Sequence, residues 1–301
     1  MRRVRLLVEL ERRGSLASVA EALHLSASGI SAQIARLERE VGANLVARSG
    51  RGLRLTEAGH RLAENGRGLL AAMEAAESEL RQLSGEVAGT VRLASFQSAA
   101  LLLVPHALAC EETHPGLRVE LVQVEPEVAV PALLAGDFDL VIAEEYPGVH
   151  PWIPVETHRE DLGVDPLFIV VAERLLQGRA LSVAGGRIPW VMEARGSAAR
   201  EWAELTCRRL GFEPDVRYES DDLLVHLELI QHGRAAGLLP ALAVVRGAPG
   251  LHLTPAGSAR TLLTLSRVGS EHSPAVRVVR DALLAAMRSV DSAFELLNRA
   301  H

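Results

Sequence analysis

The sequence predicts an α/β protein with a small all-α region at its N-terminus, and three observations support this fold class. Apolar residues recur at helical spacing through residues 2–41. A short arginine-containing run with glycines at positions 50 and 52 then favours a β-hairpin. Beyond residue 90, short apolar runs alternate with amphipathic segments, a pattern typical of sheets covered by helices.

Three helices are predicted before residue 42. The first spans about residues 2–12. Ser15 is placed to cap a second helix that reaches Leu23, and Ser26 to cap a third that Gly42 ends. Apolar positions of the third helix lie 4, 3 and 4 residues apart, at Ile30, Ile34, Leu37 and Val41. Two short helices joined by a tight turn form a helix-turn-helix, whose second helix enters the major groove of DNA.

The third helix and the hairpin, which we call the wing (residues 48–55), carry the candidate DNA contacts. Small hydroxyl and amide side chains approach base edges closely, and arginines suit backbone phosphates. The candidates are Ala27, Ser28, Ser31, Ala32, Gln33, Arg36, Arg48, Arg51 and Arg54. A lone arginine is better explained as a solvated surface charge, but the group beside a helix-turn-helix pattern favours phosphate contact.

The charge distribution agrees with a DNA-binding N-terminus. The net formal charge of the 301-residue chain is −6, which by itself argues against a nucleic-acid binder. Residues 1–60, however, hold ten arginines against six glutamates, whereas the remainder holds 22 arginines against 32 acidic residues. A basic end joined to an acidic body indicates a DNA-binding module attached to a second function.

A long helix is predicted from the capping residue Thr56 to about Leu83. Its apolar residues form a narrow seam, at Leu62, Leu69, Met73, Ala76, Leu80 and Leu83. Such a seam on an otherwise polar helix favours pairing with a second helix, the alternative being a helix that packs on its own domain.

The rest of the chain predicts eight strands and five helices. The strands are expected at 91–94, 119–124, 140–143, 168–171, 190–192, 216–218, 237–239 and 262–265. The helices are expected at 99–113, 128–135, 198–210, 223–232 and 274–298. This alternation favours parallel α/β sheets, in one domain or in two similar lobes.

Several function classes find no support. Cys110 and Cys207 lie far apart and outside any CxxC pattern, so buried inert thiols are favoured over a redox pair. No metal-ligand spacing, nucleophile elbow or phosphate-binding loop occurs, so we expect no cofactor, no metal and no catalysis. No apolar run approaches the roughly 20 residues of a membrane span, and no signal peptide is evident, so we expect a cytoplasmic protein.

The order of motifs along the N-terminus resembles that of LysR-type transcriptional regulators. The resemblance rests on Gly14-Ser15-Leu16, residues 20–26, residues 30–34, Leu37-Glu38, Arg48, Gly52 and residues 55–59. This chain departs from the family at Ala27, where Gln is frequent, and at Ala32, where a basic residue is frequent. More of the sequence specificity is therefore expected from Ser28, Ser31, Gln33 and DNA shape.

The resemblance implies three regions. Residues 1–57 would form a winged helix-turn-helix, residues 58–88 a linker helix and hinge that pairs two subunits, and residues 89–301 an effector-binding domain. That domain would be similar to type 2 periplasmic binding proteins, with lobe one at about 89–162 plus 268–301 and lobe two at about 165–262. We expect a homodimer, and by resemblance a homotetramer, on an inverted-repeat operator. The effector would be a small molecule, such as a carboxylate or an amino-acid-like metabolite.

Candidate effector-binding residues follow predicted strands or open predicted helices, because ligands of such folds sit between lobes at those positions. They are Ser95, Phe96, Gln97, Ser98, Glu144, Arg195, Ser197, Ser220 and Asp221. Helix capping explains Ser98 and Ser197 equally well, and an arginine such as Arg195 more often pairs with a surface acid.

Two other functions explain less of the chain. A solute-binding protein would account only for residues 90–301 and should carry an export signal. An enzyme on the same two-lobe fold would leave residues 1–85 unexplained.

Overall fold

The protein is described by a computed structural model over residues 2–22, 25–49, 52–84, 87–149, 153–154, 157–178, 180, 185–245 and 251–299. A two-stranded sheet lies near the N-terminus and an eight-stranded sheet lies beyond residue 88. Within those ranges no helix is both long and apolar enough to cross a membrane.

The N-terminal region contains the predicted helices and wing, at α1 (Arg2–Arg13), α2 (Leu16–Ala22), α3 (Ala27–Val41), β1 (Val46–Ser49) and β2 (Gly52–Leu55). Ser26 caps α3 as predicted, its hydroxyl accepting a 3.1 Å hydrogen bond from the Gly29 N–H. Gly42 ends α3 in a left-handed conformation, with φ of 70°. Leu23, the predicted end of the second helix, lies outside the described residues.

Helix α4 (Glu57–Ser84) is the predicted long helix, and the Thr56 hydroxyl caps it by accepting from the Gly59 N–H at 3.0 Å. Leu62, the first residue of the predicted seam, is half-buried and packs against the core of the helix-turn-helix. Leu69, Met73 and Leu80 are 56%, 48% and 68% exposed, so this part of the seam is an open apolar row on the single chain. The side chain of Leu83 and hinge residues 85–86 lie outside the described part.

The larger sheet is built from two lobes, and its elements follow one another along the chain. Lobe one begins with β3 (Gly89–Ser95), α5 (Gln97–Leu102), α6 (Val104–Ala107), α7 (Cys110–Thr113), β4 (Leu117–Gln123), α8 (Pro126–Leu134) and β5 (Leu140–Glu145). The first crossing strand and a short helix follow, at β6 (Thr157–Ala172) and α9 (Glu173–Leu176). Lobe two contains β7 (Pro189–Met192), α10 (Ala198–Arg209), β8 (Asp215–Glu219), α11 (Leu223–Gln231), β9 (Ala236–Pro240) and α12 (Ala241–Val244). The chain returns to lobe one through β10 (Leu251–Arg267) and α13 (Pro274–Arg299).

All eight strands predicted beyond residue 90 are present. The expectation of parallel sheets is wrong for the pairs at the centre of the sheet. The strand order is β4-β3-β5-β10-β6-β9-β7-β8. The pairs of β3 with β4 and β5, and of β7 with β8 and β9, are parallel. Because β6 and β10 run between the lobes in opposite directions, the pairs β5–β10, β10–β6 and β6–β9 are antiparallel.

The helix predicted over residues 99–113 is also wrong as one element, since the chain forms α5, α6 and α7 there. Pro105 explains the first break. Its ring has no N–H to continue the helical hydrogen bonds, and proline is tolerated where a new helix begins, as it does here in α6.

The two crossing strands are paired along most of their length. Their register runs from Leu251 opposite Ala172 to Arg267 opposite Thr157, with shifts between Pro255 and Ala259 and between Leu262 and Leu263. The predicted boundaries between the lobes, at about 162–165 and 262–268, fall at these strands. The sheet is therefore continuous through both lobes.

A cluster of charges joins the helix-turn-helix to lobe one. Arg12 and Arg13 of α1 both bind Asp137, which lies in the loop between α8 and β5, and the Arg13–Asp137 pair measures 2.8 Å. Glu9 is buried and pairs with both arginines at 2.7 Å. These four side chains fix one end of α1 against the lobe.

Candidate functional site

The first turns of α3 present the small side chains predicted to meet DNA. Ala27, Ser28, Ser31 and Ala32 are exposed, and Gln33 is half-buried. Ile30 and Ile34 face the opposite way and are buried among α1, α2 and the start of α4. The resulting surface has no bulky side chain that would keep the helix away from base edges.

Exposed arginines flank this surface. Arg36 pairs with Glu40 at 3.3 Å, one turn further along α3. On the wing, Arg48 and Arg54 project from opposite faces. Arg54 pairs with Ala47, the neighbour of Arg48, and successive side chains of a strand point to opposite faces. Arg51 lies outside the described residues.

A cavity of about 240 Å³ lies between the two lobes. Residues that follow β3, β4 and β5 line it from lobe one, and residues that follow β7 and β8 line it from lobe two. Strand ends and helix starts therefore meet here, which is the placement predicted for a ligand site.

Arg260 of β10 is the single basic residue among those that line the cavity. Its Nε and Nη2 donate to Asp165 Oδ2 at 2.9 and 2.7 Å. Nη2 also donates to Ser98 Oγ at 2.7 Å, and Nη1 donates to Glu144 and to the Tyr146 hydroxyl, the latter at 3.3 Å. A guanidinium has five N–H donors, so these five contacts engage all of them.

Acidic neighbours keep the buried guanidinium of Arg260 ionised. Burial alone would lower its pKa, but Glu144 and the other acidic groups around it keep that pKa well above its usual range. The Phe96 ring lies against the guanidinium, 4.9 Å from centroid to Cζ, and covers its face.

Gln97 links the lobes at the edge of the cavity. Its Nε2 donates to Asp222 Oδ1 at 2.7 Å, and its Oε1 accepts from the Leu223 N–H at 2.6 Å. Asp222 also accepts from the Leu224 N–H at 2.9 Å. The first N–H groups of α11 are thus satisfied by the chain's own side chains.

Ser197 caps α10 in the same way, accepting from the Arg200 N–H at 3.2 Å. Ser98 is different, since it lies inside α5 rather than at its cap and its hydroxyl accepts from Arg260. Capping therefore accounts for Ser197 and not for Ser98.

Five carboxylates line the cavity, three from lobe one and two from lobe two: Glu125, Glu127, Glu144, Glu193 and Asp221. Burial, together with the negative charges of Glu144 and Glu127, raises the pKa of Glu125 to about 8. Burial also raises the pKa values of Glu144 and Glu193, each to about 7. The cavity therefore holds several acidic groups, and some of their carboxyl groups stay protonated near neutral pH.

Two sequence profiles match the chain along nearly its whole length. The profile described as bacterial regulatory helix-turn-helix protein, lysR family, matches residues 1–60, and the LysR substrate binding domain matches residues 84–288. The chain belongs to the LysR family. It is therefore a DNA-binding transcriptional regulator with an effector-binding domain, and not an enzyme.

Its relatives and structural neighbours agree with this assignment. The probable HTH-type transcriptional regulator LrrA of Synechococcus elongatus is 28% identical over 98% of this chain and 94% of its own length. The regulator TfdS of Cupriavidus pinatubonensis is 30% identical over 81% and 84%. A full-length OxyR variant from Pseudomonas aeruginosa has the same fold, with a TM-score of 0.69, 19% identity and 93% of each chain covered. So does full-length CbnR complexed with its target DNA, with a TM-score of 0.53, 21% identity and coverage of 95% and 99%.

In this LysR-family chain, six of the nine predicted effector residues line the cavity: Phe96, Gln97, Ser98, Glu144, Ser197 and Asp221. Ser95, Arg195 and Ser220 do not. Ser95 is fully buried and donates to the Phe96 carbonyl at 3.1 Å, whereas Arg195 is exposed. The Ser220 hydroxyl accepts from the Asp222 N–H at 3.1 Å. These three residues adjoin lining residues in sequence but face elsewhere.

Sequence reasoning missed several lining residues, namely Glu125, Glu127, Tyr146, Glu193 and Arg260. A signal was present for Glu125 and Glu193, because each follows a strand within two residues, as Phe96 does. Arg260 has no local signal, since its partners Asp165 and Glu144 are 95 and 116 positions away.

The cysteines take no part in the cavity. Cys110 and Cys207 are free, buried and in separate apolar cores. Burial raises the pKa of both thiols, that of Cys207 to about 12. Protonated, buried thiols are poor nucleophiles, which agrees with the inert interpretation.

Proposed function

We propose that residues 1–57 of this regulator bind an inverted-repeat operator, residues 58–88 pair two subunits, and residues 89–301 bind the effector. Lobe one comprises about 89–162 plus 268–301, and lobe two about 165–262. The exposed, small-residue surface of α3, together with the exposed Arg48 and Arg54 of the wing, is the observation that carries this proposal. A protein that acts on chromosomal DNA in this way works in the cytoplasm.

Readout and positioning fall to different residues in this proposal. Ser28, Ser31 and Gln33 contact base edges, and Ala27 and Ala32 allow the helix to approach closely. Arg36, Arg48, Arg51 and Arg54 contact phosphates, which fix the register without specifying sequence.

The open apolar row on α4 supports a dimer. Leu69, Met73 and Leu80 are exposed at spacings that suit a helix–helix seam. Packing this row against the same row of a second chain removes it from water and holds two α3 helices at a fixed separation. By family resemblance, two such dimers form a tetramer.

The interlobe cavity is the effector site of this proposal. Both lobes supply its walls, so a ligand bound there favours one angle between them over another. Coupling of about 1–3 kcal/mol is enough to change promoter occupancy. Of the ligand classes predicted from the sequence, an amino-acid-like molecule fits the acidic walls through its ammonium group.

Arg48→Ala, compared with Arg118→Ala, tests the DNA-binding part. Arg118 is also exposed and lies on β4, away from α3 and the wing. We expect Arg48→Ala to weaken binding to selected and random duplexes alike and to reduce the salt slope by about 1. Arg118→Ala should change neither. Fluorescence anisotropy across a salt series measures both quantities, and equal behaviour of the two variants would contradict the proposed interface.

A further inference from the structure

We propose that the interlobe cavity binds a small organic cation, an ammonium or guanidinium group on a short apolar body, held between carboxylates of both lobes. This inference rests on the proposed function, because it names the ligand class of the same effector site.

The single charged donor group that lines the cavity, the Arg260 guanidinium, is already engaged. All five N–H donors of Arg260 contact Asp165, Glu144, Ser98 or Tyr146. The amide of Gln97 donates to Asp222. A ligand carboxylate would have to displace one of these charged contacts inside a cavity that is already negative.

The acceptors of the cavity, in contrast, are in excess. Within the described part of the chain, no other residue donates a hydrogen bond to the half-buried carboxylates of Glu125 and Glu193 or to the exposed carboxylate of Glu127. Glu193 accepts only from its own backbone N–H. Half-buried carboxylates such as Glu125 and Glu193 are unfavourable without a counter-charge, and a ligand that brings N–H donors and positive charge stabilises them. The excess of carboxylates over positive charges among the lining residues therefore favours a cation.

An organic cation suits the walls better than a metal ion does. Among the described residues, no three His, Cys, Asp or Glu side chains converge closely enough to hold a metal. Apolar atoms also line the cavity, from Phe96, Leu223 and Pro240. A volume of about 240 Å³ limits the ligand to a small metabolite.

The acids belong to both lobes, which gives the cation a role in coupling. Glu125, Glu127 and Glu144 lie on lobe one, and Glu193 and Asp221 face them from lobe two. Without a ligand, their charges repel across the cleft. A cation between them turns this repulsion into attraction and draws the lobes together.

Binding of a cation should release protons. Glu125, Glu144 and Glu193 have pKa values of about 8, 7 and 7, and a nearby positive charge lowers them. Besides one another, the charged and titratable groups around these three are Glu127, Tyr146, Asp165, Arg200, Asp221 and Arg260. Ionised carboxylates bind a cation more tightly, so affinity should rise from about pH 6 to about pH 8. A bound carboxylate would show the opposite dependence.

Isothermal titration calorimetry on the full-length protein provides the test, with three probes that share one carbon chain. 1,4-Diaminobutane carries two ammonium groups, 4-aminobutanoate carries one together with a carboxylate, and succinate carries two carboxylates. We expect affinity to fall in that order, and proton release for the diamine, read from the difference in heat between phosphate and Tris buffers. Tighter binding of succinate, proton uptake on diamine binding, or a Kd for the diamine weaker than about 10 mM would overturn the inference.

Three Glu→Gln variants, each of which removes one negative charge, locate the binding. Glu125→Gln and Glu193→Gln remove cavity charges, and each should weaken diamine binding about ten-fold or more and reduce proton release. Both should fold, because each replaces a poorly solvated carboxyl with a neutral group of similar shape. Glu112→Gln removes the same charge from an exposed position on α7 and should leave binding unchanged. Equal effects of all three variants would mean that the diamine responds only to net charge, which also overturns the inference.

Operator binding separates this inference from the proposed function. If succinate alters operator affinity and the diamine does not, the cavity is an effector site but not for a cation. If the diamine binds with proton release but no probe alters operator affinity, the cation site stands and its role as effector falls.

Discussion

Replacing Arg260 with methionine removes the single positive charge that β10 places against the cavity and keeps most of the side-chain volume. Arg260 is 2% exposed, and its partner Asp165 is fully buried. Without the guanidinium, Asp165 and Glu144 remain buried with no counter-charge. Breaking a buried ion pair from one side costs about 3–5 kcal/mol, because an uncompensated charge is left behind.

The loss of unfolding free energy caused by Arg260→Met should increase with pH. Burial already raises the pKa values of Asp165 and Glu144, that of Glu144 to about 7, against the attraction of Arg260. The substitution removes that attraction and raises both further. A carboxyl with a raised folded-state pKa loses stability as pH rises through that value, so the variant's deficit should be small near about pH 5 and full by about pH 8.

Urea unfolding of the full-length protein at fixed concentration, at both pH values, measures this deficit. The expected loss at the higher pH corresponds to a fall in Tm of about 6–20 °C for a domain of this size. Arg159→Met is the matched control, since Arg159 lies on the other crossing strand and pairs with Glu145 and Asp161 while 39% exposed. It should cost about 1 kcal/mol or less. A deficit for Arg260→Met no larger than the control's, or one that shrinks as pH rises, would refute the reasoning.

Two further predictions concern the N-terminal half of the chain. Gly59→Ala should destabilise the winged helix-turn-helix and abolish operator binding, because an added Cβ would lie 2.1 Å from the Leu45 carbonyl oxygen. Gly68→Ala, on the same helix with nothing within 4 Å, should instead raise Tm slightly, and circular dichroism melts distinguish the two. Asp137→Asn should weaken the contact of Arg12 and Arg13 with lobe one and reduce the effector's influence on operator affinity by about 0.5–2 kcal/mol of coupling. Asp161→Asn, which alters an exposed pair with Arg159, should leave that coupling intact, and an unchanged coupling in Asp137→Asn would show that the contact plays no part in signalling.

Local chemistry made the N-terminal region predictable. Ser26 and Gly42 mark the ends of α3 because each acts on the backbone within a few residues of itself. The spacing of Ile30, Ile34 and Leu37 defines the buried side of the same helix, and by exclusion its exposed side. Such signals depend on neighbours along the chain, so one sequence is enough to read them.

The cavity was only partly predictable, because its chemistry depends on distant partners. Residues that follow strands could be found, and Glu144 and Asp221 were found that way. In the sequence, nothing distinguishes Arg260 from a surface arginine. Only the folded chain shows that it is buried between Asp165 and Glu144. The antiparallel centre of the sheet was missed for a similar reason, since helix and strand alternation does not report which way a crossing strand runs.

The unbroken sheet has a mechanical consequence. Lobes joined by loose loops can swing widely apart about a hinge. Here the strands at the junction are hydrogen-bonded side by side, in the order β5, β10, β6 and β9. Wide opening would tear those hydrogen bonds, whereas a change of twist only bends them. The compliant places are the two register slips in β10, at 255–259 and at Leu262 and Leu263. The junction therefore allows a small rotation of one lobe relative to the other. The paired strands restore the original angle when the ligand leaves, so the regulator resets without unfolding.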